Sequence, residues 1–320
     1  MLDNLCDVPG VLVGHATDRE GITGCTAVLF DGPEGAVVGV DVRGSSPGTR
    51  ETDRLGSVGA VRPTHALLMT GGSAFGLAAA DGIVRFLEEK GIGLDVGVAR
   101  IPLVSAAVLF DIVVGDPTSR PDAAMGYEAA SSATSGAFAQ GTVGAGTGAS
   151  VGKVLGMERA MKGGIGSASV ELQDGLIVGA LAAVNAFGEV RDPQTGKVLA
   201  GPRLEDGTLG DTVELLPEAA ARLRWGENTT LGILATNARL TKPQVNKVAQ
   251  MAHDGLARTV YPVHTTVDGD VVFAASIGEV EAIPDVVGSW GARVLEEAIV
   301  RAVLAAVGVD GLPAARDLKG

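Results

Sequence analysis

The chain has 320 residues, a formal charge of −13, and 46% hydrophobic but only 3% aromatic residues. That is enough Ala, Val, Leu and Ile for one large core, and so acidic a chain repels phosphate backbones, which argues against nucleic acid as a partner. Its 47 glycines are roughly twice the usual ~7% share, and without a G-X-Y period they indicate many tight turns and close backbone approaches, not collagen.

Along the chain, residues 1–5 lack a basic stretch and an apolar stretch, so no secretory signal is expected. Cys6 and Cys25 make neither a disulfide framework nor a zinc site, and Cys25 reads as a small buried hydrophobe. Strand-like runs at 27–30 and 36–42 flank Gly32-Pro33-Glu34-Gly35, which predicts a β-hairpin. A polar loop (43–54) leads to a short buried strand at 66–69. Gly71-Gly72-Ser73 then opens a helix running to about residue 90, with Gly91 as its stop.

Residues 141–153 (GTVGAGTGASVGK) approach a phosphate loop and fail it. Thr147 stands where the first glycine is needed, and Val154 stands where a magnesium ligand is needed. Runs 170–172 and 176–185 read as neighbouring strands around the Gln173-Asp174-Gly175 turn. The apolar run 176–187 is too short to cross a bilayer. A polar stretch (191–210), a short helix (215–224) and a strand from Leu231 follow. Thr241-Lys242-Pro243-Gln244 is a capping box ahead of a helix whose apolar face is Val245, Val248, Ala249, Ala252 and Leu256. Asp268-Gly269-Asp270 introduces a strand at 271–275, and a last helix covers about 291–307. Strands and helices lack steady β-α-β alternation, which favours an α+β or layered sandwich over a doubly wound sheet.

The chemistry-bearing segment is Gly226-Glu227-Asn228-Thr229-Thr230, which opens directly into Leu231-Gly232-Ile233-Leu234. A cut between Asn228 and Thr229 would give Thr229 a free amine beside its hydroxyl, a self-contained base and nucleophile. The plainer alternative is a strand that begins with β-branched residues. Thr230 is the rival nucleophile, with packing inside the strand as its ordinary role. Lys153 ends the glycine loop. Asn185 ends an apolar strand, where its amide is placed to donate to an oxyanion. Asp268 and Asp270 flank a glycine, which is good turn chemistry on its own and, without histidine partners, a poor metal site.

Taken together these motifs resemble the P1 family of self-processing aminopeptidases and amidases, which includes D-aminopeptidase/esterases, β-aminopeptidases and nylon-oligomer hydrolases. The resemblance covers most of the chain. It is carried by Arg50-Glu51-Thr52-Asp53, Gly71-Gly72-Ser73-Ala74-Phe75-Gly76-Leu77, Gly144 through Lys153, Asn185, Asn228-Thr229-Thr230 through Asn237, His264-Thr265 and Asp268-Gly269-Asp270. It implies an α+β fold, a four-layer αββα sandwich like that of ornithine acetyltransferase, in a single catalytic domain over 1–320. It also implies self-cleavage into an α chain, 1–228, and a β chain, 229–320. In this reading Thr229 is the nucleophile, Lys153 tunes its amine, Asn185 holds the oxyanion, and Asp268 and Asp270 hold the amine or relay protons. Substrates would be small peptides, amides or ω-amino-acid oligomers. No cofactor, metal or membrane is called for, and the expected state is a cytoplasmic tetramer of αβ units. Two other readings are an ornithine-type acyltransferase and a non-enzymatic ligand-binding scaffold. Where some relatives carry a site tyrosine, the Gly-Gly-Ser segment here carries Phe75, so that role does not transfer.

Overall fold

Two five-stranded sheets position the site. The computed structural model describes residues 1–32, 34–219, 228–309 and 311–318. The principal strands are β1 (Val11–Asp18), β2 (Thr23–Phe30), β3 (Val37–Val42), β4 (Thr49–Arg50), β5 (Ala66–Thr70), β6 (Val104–Val108), β7 (Gly164–Glu171), β8 (Ile177–Asn185), β9 (Thr229–Ala238) and β10 (Val271–Val280). The helices are α1 (Ala79–Glu89), α2 (Ala123–Ser131), α3 (Thr212–Ala219), α4 (Lys242–Thr259) and α5 (Pro284–Ala305). No described helix is long and apolar enough to cross a membrane.

The first sheet has the order β1-β2-β5-β6-β4, and the second β7-β8-β9-β10-β3. Each runs antiparallel, antiparallel, parallel, antiparallel across its four seams. Side chains alternate faces along a strand, so each sheet has two surfaces to bury. Val13, Val28, Phe30 and Leu67 of the first sheet share one buried cluster with Leu181, Leu231, Ile233 and Phe273 of the second. The other face of the first sheet buries Ala27, Leu29 and Leu68 with Ile83 and Leu87 of α1 and Ala129 of α2. The other face of the second buries Ala180, Leu234 and Val272 with Val245 and Val248 of α4 and Leu295 and Ile299 of α5. Each fully buried Leu, Ile or Phe contributes about 1.5–3 kcal/mol of transfer free energy.

The hairpin expected at 27–42 does not form. Ala36 bridges to Thr64, and β3 crosses to the second sheet, where Val37–Val42 pair with residues 271–276 of β10. Turn chemistry in a sequence reverses or redirects a chain without choosing its next partner. Which sheet receives the next strand is decided by where its apolar face is buried, and Val38 joins the cluster between the sheets. The expected pair at 170–185 does form, as β7 and β8. The helix after Gly72 begins as a 3₁₀ segment (Ser73–Ala78) before α1, and Gly91 stands at φ +70°. At α4 the Gln244 side chain accepts from the Thr241 amide at 2.8 Å, as the capping pattern predicts. Of the helix expected at 215–224, residues 215–219 belong to α3, and 220–224 lie outside the described residues, as do Gly226 and Glu227.

Candidate active site

Strand parity aims the key side chains. Leu231, Ile233 and Ala235 of β9 enter the cluster between the sheets, and Thr229 has the same parity. Leu181 and Ala183 of β8 enter it too, so Asn185 shares that face, and the register sets Asn185 opposite Thr229. The site therefore lies where the β8–β9 seam meets the gap between the sheets.

Lys153 reaches it from the glycine-rich loop. Its backbone amide donates to Phe187 O at 3.0 Å, and its ammonium donates to Asn185 Oδ1 at 2.9 Å and Asn185 O at 3.1 Å. Gly152 allows this approach, since it has φ +71° and an added Cβ would fall 2.3 Å from the Gly201 carbonyl carbon. Asn185 Oδ1 also accepts from the Ser150 amide at 2.9 Å, while Asn185 Nδ2 donates to Phe110 O at 3.0 Å. One of its two amide hydrogens is thereby engaged.

The two carboxylates flank the start of β9 from the parallel neighbour. Asp270 Oδ1 accepts from the Thr230 amide at 2.6 Å. Its Oδ2 accepts from the His264 amide at 3.1 Å and lies 2.8 Å from His264 Nδ1. His264 has φ +55°, a left-handed conformation that costs a non-glycine residue about 1–3 kcal/mol and is held here by its two contacts with Asp270. Asp268 Oδ2 accepts from the Thr265 amide at 3.0 Å and the Thr265 hydroxyl at 2.5 Å, and Oδ1 from the Phe187 amide at 3.3 Å. Burial, and then the charge of Asp270, push the Asp268 carboxyl up to about 6. The loop after β3 closes over this turn, with Ser46 N on Asp268 O at 2.9 Å and Arg43 N on Asp270 O at 3.0 Å.

Thr229 is buried, and its hydroxyl donates to the carbonyl oxygen of Asn228 at 2.5 Å. The rival Thr230 meets Asp270 through its amide, and its hydroxyl has no partner among the described residues. Strand register and the glycine loop thus bring the five residues singled out from sequence to one end of the β8–β9–β10 ladder: a hydroxyl, an ammonium, an amide and two carboxylates. Such a group suits acyl transfer at a carbonyl.

Residues 3–316 match peptidase family S58. The chain belongs to that family. An uncharacterised aminopeptidase of Mycobacterium tuberculosis is 40% identical, covering 99% of this chain and 98% of its own length. A 6-aminohexanoate-oligomer endohydrolase of Paenarthrobacter ureafaciens is 33% identical, covering 90% of this chain and 78% of its own. The solved L-aminopeptidase D-Ala-esterase/amidase of Ochrobactrum anthropi, described as a variant of the Ntn hydrolase fold, superposes with a TM-score of 0.72 at 22% identity, over 95% of this chain and 86% of that one, which is a likeness of fold. The S58 chain is thus of mixed α and β content with a peptidase or amidase activity.

Two buried charges of this S58 peptidase escape a sequence reading. Lys162 is fully buried; its ammonium donates to Gly146 O and Ala149 O at 2.7 Å and to Gly163 O at 3.2 Å, and burial pulls it down to about 7. It fixes the carbonyls of the loop that delivers Lys153. Asp111 accepts from the Gly72 amide at 2.6 Å and the Thr23 hydroxyl at 2.8 Å, and burial pushes its carboxyl above the usual range. Both residues stand in ordinary local contexts, and only the loop that folds around them shows what they hold. The grip of His264 on Asp270 was closer to legible, since both lie in one motif six positions apart.

Proposed function

We propose that the chain is an autoprocessing amide hydrolase whose nucleophile is Thr229, unmasked by cleavage of the Asn228–Thr229 bond. The observation that carries this reading is the Thr229 hydroxyl, 2.5 Å from the carbonyl oxygen of its own preceding residue, in a site that also holds Lys153, Asn185, Asp268 and Asp270. In the mature enzyme Thr229 Oγ attacks the substrate carbonyl carbon. The freed α-amine, with an ordinary pKa of about 7.7–8.0, takes the hydroxyl proton. Lys153 as a neighbouring cation lowers that amine's pKa. Asn185 donates to the oxyanion, Asp270 and Asp268 hold the amine, and water then releases the acyl group from the threonine.

The substrates in this reading carry an amino group on the acyl side, as N-terminal amino-acyl peptides and amides or ω-amino-acid oligomers do. The names of the M. tuberculosis and P. ureafaciens relatives support that class. The three buried clusters support a four-layer αββα sandwich of the ornithine-acetyltransferase kind. The reading includes a single catalytic domain, maturation into chains 1–228 and 229–320, and a cytoplasmic tetramer of αβ units. Intact mass under denaturing conditions, with a chromogenic amino-acid anilide assay, tests it. The parent should give two fragments and turn over, while Thr229→Ala should stay whole and inactive. A cut or active Thr229→Ala chain would overturn the assignment.

A further inference from the structure

The glycine between the two aspartates has a chemistry of its own. Among the described residues the Asn228 carbonyl oxygen accepts two hydrogen bonds, one from the Thr229 hydroxyl and one from the Gly269 amide at 2.9 Å. The second belongs to the Asn228–Asp268 bridge that starts the parallel pairing of β9 with β10. The position also excludes a side chain: a Cβ on Gly269 would fall 2.6 Å from Ser46 O and 2.7 Å from Thr229 Oγ1. Asn185, by contrast, spends its described hydrogen bonds on Phe110, Ser150 and Lys153.

The geometry points to the Gly269 backbone amide as the donor that stabilises the oxyanion of self-cleavage, a role distinct from that of Asn185 in turnover. The inference rests on the autoprocessing reading above. Thr229 Oγ bonds to the Asn228 carbonyl carbon, and the electron pair of the C=O bond moves onto the oxygen that already faces the Gly269 N–H. As the C–N bond breaks, the hydroxyl proton ends on the departing Thr229 nitrogen. An ester and a free amine result. Water adds to the ester, Thr229 Oγ regains a proton, and Asn228 leaves as a carboxylic acid that ionises. The amide is preorganised because strand pairing holds it before any charge develops.

The test removes the N–H without adding a side chain, by placing glycolic acid at position 269 through nonsense suppression so that the backbone amide becomes an ester. The first-order appearance of fragments 1–228 and 229–320 should slow about 10²–10³-fold against the parent, the usual effect of deleting one oxyanion donor. Cutting at the parental rate overturns the assignment of Gly269 and leaves the autoprocessing reading standing. A parent chain that never cuts overturns that reading instead. Should the ester chain fail to give a cooperative melt, hydrogen exchange read by mass spectrometry on uncut Thr229→Ala decides. A protected Gly269 amide supports the assignment, and one exchanging at the free-chain rate overturns it.

Discussion

The two sheets repeat one pairing pattern and differ in what stands beside the parallel seam. In the second sheet the last residue of β8, Asn185, faces Thr229, and Gly269 lies on the other side. In the first sheet the last residue of β2, Phe30, donates its amide to His65 O at 3.0 Å, and His65 in turn meets Leu103, which donates to His65 Nδ1 at 3.0 Å. The parallel partners are ten residues long in β9 and β10 but five in β5 and β6. The same topology thus carries a polar cluster in one place and a packed aromatic in the other. A strand pattern supplies positions, and the residues set at its ends supply chemistry.

That contrast can be broken by exchanging what is lost at each place. The largest effect expected is on rate: Asn185→Ala should lower turnover about 10²–10³-fold if its amide meets the oxyanion. Phe30→Ala should instead lower stability by about 3–5 kcal/mol, with turnover of the folded protein changed only a few-fold. Steady-state kinetics and denaturant midpoints on both variants read this directly, and equal losses of rate would erase the distinction.

A second substitution sharpens it by attacking the support and leaving the reacting groups in place. Lys162→Met strands the buried carbonyls of Gly146, Ala149 and Gly163. A cost of about 1–3 kcal/mol for each carbonyl left without a donor is expected, seen as an earlier unfolding transition. A variant as stable as the parent would mean that the loop holds itself.

The smaller effects are titrations of opposite sign. Beside the second sheet, Asp268 is raised to about 6, so its ionisation opposes folding above that pH, and the opposition is relieved as pH falls from about 6 toward its unfolded value of ~3.9. Activity that needs the carboxylate should decline below about pH 6, and Asp270→Asn should move the acid limb of the residual activity to lower pH by removing the neighbouring charge. In β1 of the first sheet, burial pulls His15 down to about 4. Its folded pKa lies below the unfolded ~6.5, so its contribution is complete above ~6.5 and is lost as pH falls toward 4. The dependence of Tm on pH across that window should flatten in His15→Gln, and an unchanged slope would remove His15 from the account.

What was legible in the sequence follows from the range of the interaction. The β7–β8 pair has its turn written between its strands, and α4 has its cap written in its first four residues. Asn228-Thr229 is visible because a polar run meets an apolar one. The strand β1, Val-Leu-Val-Gly-His-Ala-Thr-Asp, gave no such contrast and was not foreseen. Nor was the crossing of β3, because alternation in 37–42 satisfies either sheet equally well. The repeated pairing pattern has no repeated sequence behind it. The Gly269 amide is a backbone group, which no residue code reveals until the parallel register is known.

The course of the chain through the sheets has a further consequence. Of the two five-stranded sheets, the chain from β9 onward enters only the second, between β8 on one flank and β3 on the other, and Val260–Tyr261 adds a short ladder to Glu189–Val190. Both flanking strands precede residue 229. A break before Thr229 therefore releases nothing: the shorter piece is clasped by the longer one, and separating them means unzipping the ladders to Val178–Asn185, Val37–Val42 and Glu189–Val190 together. A severed backbone and a dissociated molecule are different events in this architecture.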